Sequence, residues 1–204
     1  MATRIVMLLS GNGSTLENLF EKIDKDELSA QIVAVISSRE SAYGLERARK
    51  RNLPAVTVSP KAYAERAEFD AALWEEIRKH KPDLVVLGGF MTLLTVPDDY
   101  HGKIMNVHPS LVPAFCGKGM YGHRVHEAVI EYGVRVSGVT VHFVDNEYDH
   151  GPIILQEAVP VFESDSPESV AQRVQSKERE VYPRAIQLFA TGRIKLEGRH
   201  VRIA

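Results

Sequence analysis

A single cysteine, Cys116, excludes an internal disulfide and fits a reducing compartment, with a catalytic thiol as the less favoured use of it. Charge of one sign is equally lacking. The chain sets 25 Lys and Arg against 27 Asp and Glu, scattered without a basic stripe, for a formal net charge of -2. That removes the electrostatic footprint of a nucleic-acid binder, and no nucleic-acid partner is expected. No apolar run approaches the ~20 residues that cross a bilayer. The N-terminus leads straight into a strand-like segment, Arg4 to Leu9, without the basic region, longer apolar core and cleavage site of a signal peptide. No membrane partner and a cytoplasmic location are therefore expected. Repeats, low-complexity tracts and Pro/Ser linkers are missing too, so the 204 residues are expected to form one domain, 1–204. A chain of that length can bury about 70% of its unfolded surface, enough for a core with a deep cleft.

What is present alternates between two kinds of segment. Short runs rich in β-branched residues, such as Ile32 to Ile36 and Leu84 to Leu87, read as strands buried on both faces. Between them lie stretches of helical spacing, including Leu45 to Arg51 and a longer piece with Ala64, Phe69, Leu73, Trp74 and Ile77 that ends before Lys81-Pro82. Strand and helix in alternation imply a parallel sheet with right-handed crossovers, whose ligands bind beyond the carboxyl ends of the strands. After Val134 the pattern changes. Val134 to Val144 and Ile153 to Val161 are separated only by a turn-rich segment and read as two antiparallel strands. A last amphipathic helix begins at Ser166-Pro167-Glu168 and is stopped by Gly192, and Ile194-Leu196 with Val201-Ile203 around Gly198 reads as a closing hairpin. The expected fold is α/β: a Rossmann-like, mainly parallel sheet flanked by helices, with an antiparallel C-terminal extension.

Three places carry candidate chemistry. Ser10-Gly11-Asn12-Gly13-Ser14-Thr15 follows the first strand and precedes helical residues Leu16 to Lys22. Its glycines permit a tight turn, and free N–H groups at the helix start suit a phosphate, although a plain strand-to-helix turn has the same composition. Leu16 replaces the third glycine of the dinucleotide fingerprint, and the spacing is too short for an ATP-type loop. In Ile104-Met105-Asn106-Val107-His108-Pro109, residues two apart point to one face of a strand, so Asn106 and His108 project together at its end. An amide can donate to a developing oxyanion and an imidazole can carry a proton, which suits addition of a nucleophile to a carbonyl. The same residues could merely satisfy loop backbone. A carboxylate is supplied by the polar turn Asp145 to Pro152, where spacing leaves Asp145 and Asp149 equally open.

Ser-Gly-Asn-Gly-Ser at the start, Gly88-Gly89-Phe90-Met91, Asn106-Val107-His108-Pro109-Ser110-Leu111-Val112-Pro113 and Asp149-x-Gly151-Pro152-Ile153 occur in this order across nearly the whole chain. Together they resemble the folate-dependent glycinamide ribonucleotide formyltransferases. The resemblance implies the formyltransferase fold and transfer of a formyl group from 10-formyltetrahydrofolate, as co-substrate and without a metal, to the amine of glycinamide ribonucleotide in purine synthesis. It implies Asn106, His108 and Asp149 as catalytic residues, with Asp149 raising the pKa of His108 or relaying protons through water, and so prefers Asp149 to Asp145. It assigns the ribonucleotide to Gly13, Ser14 and Thr15 through its phosphate. Gln175 and Glu178, after Arg173-Val174, join them for the rest of that substrate, and Glu178 shares the inward stripe of Val174 and Val181. The folate is assigned to Arg66, Met91, Thr92, Leu93, Leu94 and Asp145. A monomer or homodimer is expected.

Some positions depart from that pattern. The stretch 114–122 looks longer than usual and, with three glycines, is expected to be a mobile lid. Thr92 replaces a basic residue of some relatives, and His150 stands where a small residue is common. His123, His126, His142 and His150 invite a metal, but no convergent third ligand is evident. The competing functions are a formyltetrahydrofolate hydrolase, which delivers water with the same three groups, and a folate or sugar-phosphate binding protein without activity.

Overall fold

A run of β-branched residues with no polar face is stable only inside a sheet covered on both sides. The computed structural model describes residues 2–204, and in it each such run is a buried strand. The chain divides into two compact units, one ending at Met105 and the other beginning at Asn106.

The first unit runs β1 (Thr3–Leu9), α1 (Ser14–Asp24), β2 (Ala30–Ser37), α2 (Tyr43–Lys50), β3 (Ala55–Thr57), α3 (Arg66–Lys79) and β4 (Leu84–Gly88). Its strands lie in the order β3-β2-β1-β4. All the pairings within this group are parallel, with Met7 of β1 opposite both Val35 and Val86. Ile5 to Leu9 are wholly buried. The chain steps outward from β1 through β2 to β3 and then returns to the other side of β1 with β4. The carboxyl ends of β1 and β4 are therefore a switch point, where α/β sheets open a crevice. The start of β5 (Ile104–His108) also belongs here, and Val85 N–H donates to Lys103 O at 2.9 Å just ahead of it. The short β3 has no counterpart in the sequence reading, because three half-buried residues are too few to show a period.

The second unit holds the end of β5, then α4 (His123–Tyr132), β6 (Val136–Phe143), β7 (Ile153–Pro160), α5 (Pro167–Ala190), β8 (Ile194–Glu197) and β9 (His200–Ile203). β6 and β7 are antiparallel, Val136 facing Pro160 and His142 facing Ile153, with a register shift between Val141 and His142. β8 and β9 form the expected hairpin. Ser166 caps α5 by accepting from Ser169 N–H at 3.3 Å, with Pro167 in the first turn. The helix packs on α4, β6 and β7, burying Val170, Val174, Val181, Tyr182, Ala185 and Ile186. It runs through Pro183, as the expected span from Ser166 to Gly192 requires, although an interior proline commonly breaks a helix. Pro183 is itself buried, so packing of the apolar face on either side outweighs the hydrogen bond its missing N–H forfeits. α4 is a full helix between Gly122 and Gly133, a segment in which the sequence reading named only His123 and His126, as metal candidates. The fold class is the expected one, mainly parallel α/β with an antiparallel extension. Among the described residues no helix is long and apolar enough to cross a membrane.

Candidate active site

β5 buries Ile104 and Met105, then ends on half-buried Asn106 and on His108, which is 3% exposed. The two-residue period puts both polar side chains on one face, as expected. The acid that meets them is Asp149, from the loop between β6 and β7. Asn106 Nδ2 lies 3.3 Å from Asp149 Oδ1, and His108 Nδ1 lies 3.3 Å from Asp149 Oδ2. Asp145, the other carboxylate open to the sequence, is bonded within its own turn, to His150 Nδ1 at 2.7 Å and to Glu147 N–H at 3.0 Å.

A fourth group joins the cluster. His142, 2% exposed, directs Nδ1 to its neighbour's carbonyl, Phe143 O, at 2.7 Å. A carbonyl only accepts, so the ring hydrogen sits on Nδ1 and Nε2 is left as an acceptor. Asn106 Nδ2 stands 3.2 Å from that Nε2, so the Asn106 amide presents N–H to both His142 and Asp149. His142 appeared in the sequence only as a metal candidate. The available signal was a histidine at an inward position of β6, between buried Val141 and Phe143.

The same logic fixes His108. Its Nε2 lies 2.9 Å from Phe115 O, so that nitrogen carries a hydrogen and the neutral ring turns its Nδ1 lone pair toward Asp149. Burial lowers the pKa of His108 below its ordinary 6.5, and the charge of Asp149 and the Phe115 carbonyl only partly restore it. Asp149 therefore acts in the expected upward direction, while the net shift is a fall, because taking an imidazolium out of water costs more than the carboxylate returns. Asp149 itself is held below the ordinary carboxylate value. Burial works against ionisation, and His142, His108 and the Gly117 N–H, 3.0 Å from Oδ2, together outweigh it. At neutral pH the pair is thus an ionised acid beside a neutral imidazole whose second proton would settle between them.

Main-chain geometry locks this arrangement. Asp149 has a φ of 52°, a left-handed conformation that aspartate tolerates better than most residues. At Gly151 a Cβ would stand 1.8 Å from Phe143 O, so the Asp-x-Gly-Pro motif needs its glycine for close approach of two backbones. Thr140 Oγ1 donates to Ser110 O at 2.7 Å and accepts from Val112 N–H at 3.0 Å, tying the segment after β5 to β6. The first part of the stretch expected to be a lid is therefore bonded down, through Phe115 O and Gly117 N–H, to His108 and Asp149.

In the first unit, Gly13 opens α1 with a φ of 74°, and a Cβ there would meet Gly44 Cα at 2.8 Å. Arg47 braces the turn, donating to Asn12 O at 3.0 Å and to Glu17 at 2.6 Å. Ser14 is exposed and Thr15 half-buried at the start of the helix. Ser10 Oγ accepts from Met91 N–H at 2.9 Å, which joins the glycine turn to the segment after β4. Arg66 binds Asp70 at 2.9 Å and donates to the Leu93 carbonyl, so the proposed folate residues Arg66 and Met91 to Leu94 lie together. Met91 is exposed, Thr92 and Leu93 half-buried and Leu94 buried. On α5, Glu178 is half-buried between buried Val174 and Val181, while Gln175 is exposed.

The histidines considered for a metal are dispersed. His123 pairs with Glu168 at 3.2 Å, His126 is buried with Nδ1 unpartnered, and His150 faces Asp145. Among the described residues no group of three or more His, Cys, Asp or Glu is placed to hold a metal ion.

Comparison with known proteins matches residues 3–186 to the family described as formyl transferase. The chain is 40% identical over 194 residues to the phosphoribosylglycinamide formyltransferase of Escherichia coli, covering 94% of this chain and 89% of that protein. It is 41% identical over 195 residues to the trifunctional purine biosynthetic protein adenosine-3 of Bos taurus, covering 95% of this chain but only 19% of that much longer protein. Among solved structures, glycinamide ribonucleotide transformylase 1 of Symbiobacterium toebii is similar with a TM-score of 0.92 and 44% identity, over 99% of this chain and 94% of that one. A formyltetrahydrofolate deformylase of Pseudomonas syringae is similar at a TM-score of 0.86 with 26% identity, this chain spanning 66% of it. The extent and identity of the match with full-length transferases, beside the lower identity to a longer deformylase, place the chain: it belongs to the formyl transferase family, among the phosphoribosylglycinamide formyltransferases.

Proposed function

We propose that this chain acts as one functional domain in the cytoplasm, moving the formyl group of 10-formyltetrahydrofolate to the amine of glycinamide ribonucleotide in purine biosynthesis. The reading is carried by the meeting of Asn106, His108 and Asp149 around one another in a chain of this family. The amine nitrogen attacks the formyl carbon, a C–N bond forms, and the carbonyl oxygen gains negative charge. Asn106 donates an N–H to that oxygen, giving up one of its two long contacts, 3.2 Å to His142 and 3.3 Å to Asp149. The proton lost by the amine passes to His108 Nδ1, directly or through water, where the Asp149 carboxylate compensates the imidazolium charge. The bond from the formyl carbon to the folate nitrogen then breaks as that nitrogen takes up a proton. The products are formylglycinamide ribonucleotide and tetrahydrofolate, with atoms and charge balanced.

Binding roles follow the family likeness. The phosphate is assigned to the N–H groups at Gly13, Ser14 and Thr15, where a left-handed glycine opens a helix. Gln175 and Glu178 are assigned to the remainder of the ribonucleotide. Arg66, Met91, Thr92, Leu93, Leu94 and Asp145 are assigned to the folate, apolar side chains flanking the pterin and Arg66 meeting its glutamate tail. The test is to follow tetrahydrofolate release from 10-formyltetrahydrofolate with and without glycinamide ribonucleotide. Release that requires the ribonucleotide supports transfer. Equal release without it identifies a hydrolase, and tight binding with no release identifies a carrier.

A further inference from the structure

The loop 144–151 presents Asp149, and its base is closed by main chain. Phe143 N–H donates to Pro152 O at 2.8 Å, and Gly151 packs against the Phe143 carbonyl. Just beyond that base the two legs of the loop have a separate attachment, outside the cluster of Asn106, His108, His142 and Asp149. His150, the residue after Asp149, places Nδ1 2.7 Å from Asp145 Oδ2. Arg199, in the turn between β8 and β9, places Nη1 3.2 Å from His150 Nε2 and donates from Nη2 to the His150 carbonyl at 2.7 Å.

The donor inventory orders this chain of bonds. Arginine has only donors, so His150 Nε2 accepts, and the ring hydrogen is on Nδ1, donating to Asp145. A carboxylate, an imidazole and a guanidinium are therefore linked in series. Arg199 grips both the side chain and the main chain of one residue, which restrains the His150–Gly151 peptide as well as the ring of the residue next to Asp149. The hairpin is built to act as an arm. Its strands pair from Ile194 with Ile203 to Glu197 with His200, Ala204 N–H closes on Arg193 O at 3.0 Å, and β9 lies against β7. It also lies beyond residue 186, where the family match ends.

We propose that Arg199, acting through His150, is a positioning residue that holds the 144–151 loop so that the Asp149 carboxylate faces His108. The proposal rests on the formyl-transfer reading for its effect on rate, but its structural content stands apart from it. The bonds are exposed and individually weak. Their importance lies in geometry: Asp149 stands 3.3 Å from His108 on a left-handed residue of a surface loop, and a displacement of about 1 Å there can cost up to ~10²-fold in rate.

The experiment has two arms. In the first, the imidazole signals of the unliganded protein are titrated by NMR. Asp149→Asn lowers the protonation midpoint of His108, because a charge that favours imidazolium is gone. Arg199→Ala lowers it in the same direction by a smaller amount, and Arg199→Lys, which keeps one donor for the His150 carbonyl, recovers part of the shift. In the second arm, formyl transfer is measured. Arg199→Ala reduces kcat roughly three- to tenfold with KM for the ribonucleotide within about twofold. His150→Ala gives a similar loss, and the double variant is no worse than either single one, since both break one linkage. An unchanged His108 midpoint in Arg199→Ala, beside a clear shift in Asp149→Asn, overturns the proposal, as do additive rate losses. A wild-type protein with no transfer activity but with both NMR shifts overturns the formyl-transfer reading and leaves the positioning role supported.

Discussion

The carboxyl ends of β1 and β5 end in opposite kinds of structure. After β1 the chain turns on Gly13, whose φ of 74° and close approach to Gly44 carry the main chain directly into α1. β5 instead ends on half-buried Asn106 and buried His108, which meet side chains from β6 and from the loop behind it. A main-chain site binds by shape and dipole and tolerates many side chains provided the glycine stays. A side-chain site depends on particular atoms, and each atom's protonation state is set by its neighbour.

The comparison breaks most sharply at β5. Asn106→Ala and His108→Ala should each lower kcat by roughly 10²-fold or more, the usual worth of an oxyanion donor or an acid–base group, with ribonucleotide affinity nearly unchanged by calorimetry. Near-wild-type turnover in either would remove that residue from the chemistry. The pH profile adds a sign. Burial lowers the pKa of His108, so the ring is neutral at pH 7, and the rate falls only when acid protonates it, with a midpoint below 6.5. Asp149 opposes that lowering, so Asp149→Asn should move the acidic limb of kcat/KM further down while reducing the rate. A limb that moves upward would contradict the assignment.

At β1 the expected damage is smaller and of a different type. Gly13→Ala forces a Cβ into a left-handed residue and against Gly44, which costs about 1 kcal/mol from backbone conformation alone and more from the close contact. KM for the ribonucleotide should rise roughly tenfold, with kcat within about threefold of wild type. A loss confined to kcat would place the phosphate elsewhere. Glu178→Ala should weaken ribonucleotide binding several-fold, and unchanged affinity would take Glu178 out of that role.

The smallest effect concerns stability rather than rate. His126 is buried with Nδ1 unpartnered, and burial, assisted by the nearby charges of His123 and His108, lowers its pKa to about 4. An unfolded chain binds a proton there near the ordinary 6.5, which the folded chain refuses, so stability falls as pH drops from 6.5 toward 4. His126→Leu should flatten the melting temperature across that window. An equally steep decline in the variant would show that other groups govern acid sensitivity.

Local pattern was enough for much of the molecule. Apolar runs marked β2 and β4, Ser166-Pro167 marked the start of α5, and Gly198 marked the closing hairpin, because burial period and turn chemistry are properties of neighbouring residues. The same period put Asn106 and His108 on one face. Spacing could not choose between Asp145 and Asp149, since both sit in one polar turn; the family resemblance chose Asp149, and the two carboxylates in fact have different partners. The short β3 escaped because three residues show no period.

By itself, then, the amino-acid order determined which segments are strands and helices, where glycine is required, and which polar groups share the end of β5. Tertiary structure alone decided that His142 orients Asn106, that the Phe115 carbonyl selects the His108 tautomer, and that Arg199 reaches His150. The reason is physical. Alternation along a strand is encoded within a few residues, whereas a proton's position and the sign of a pKa shift depend on atoms brought together from distant parts of the chain and on how much water they exclude.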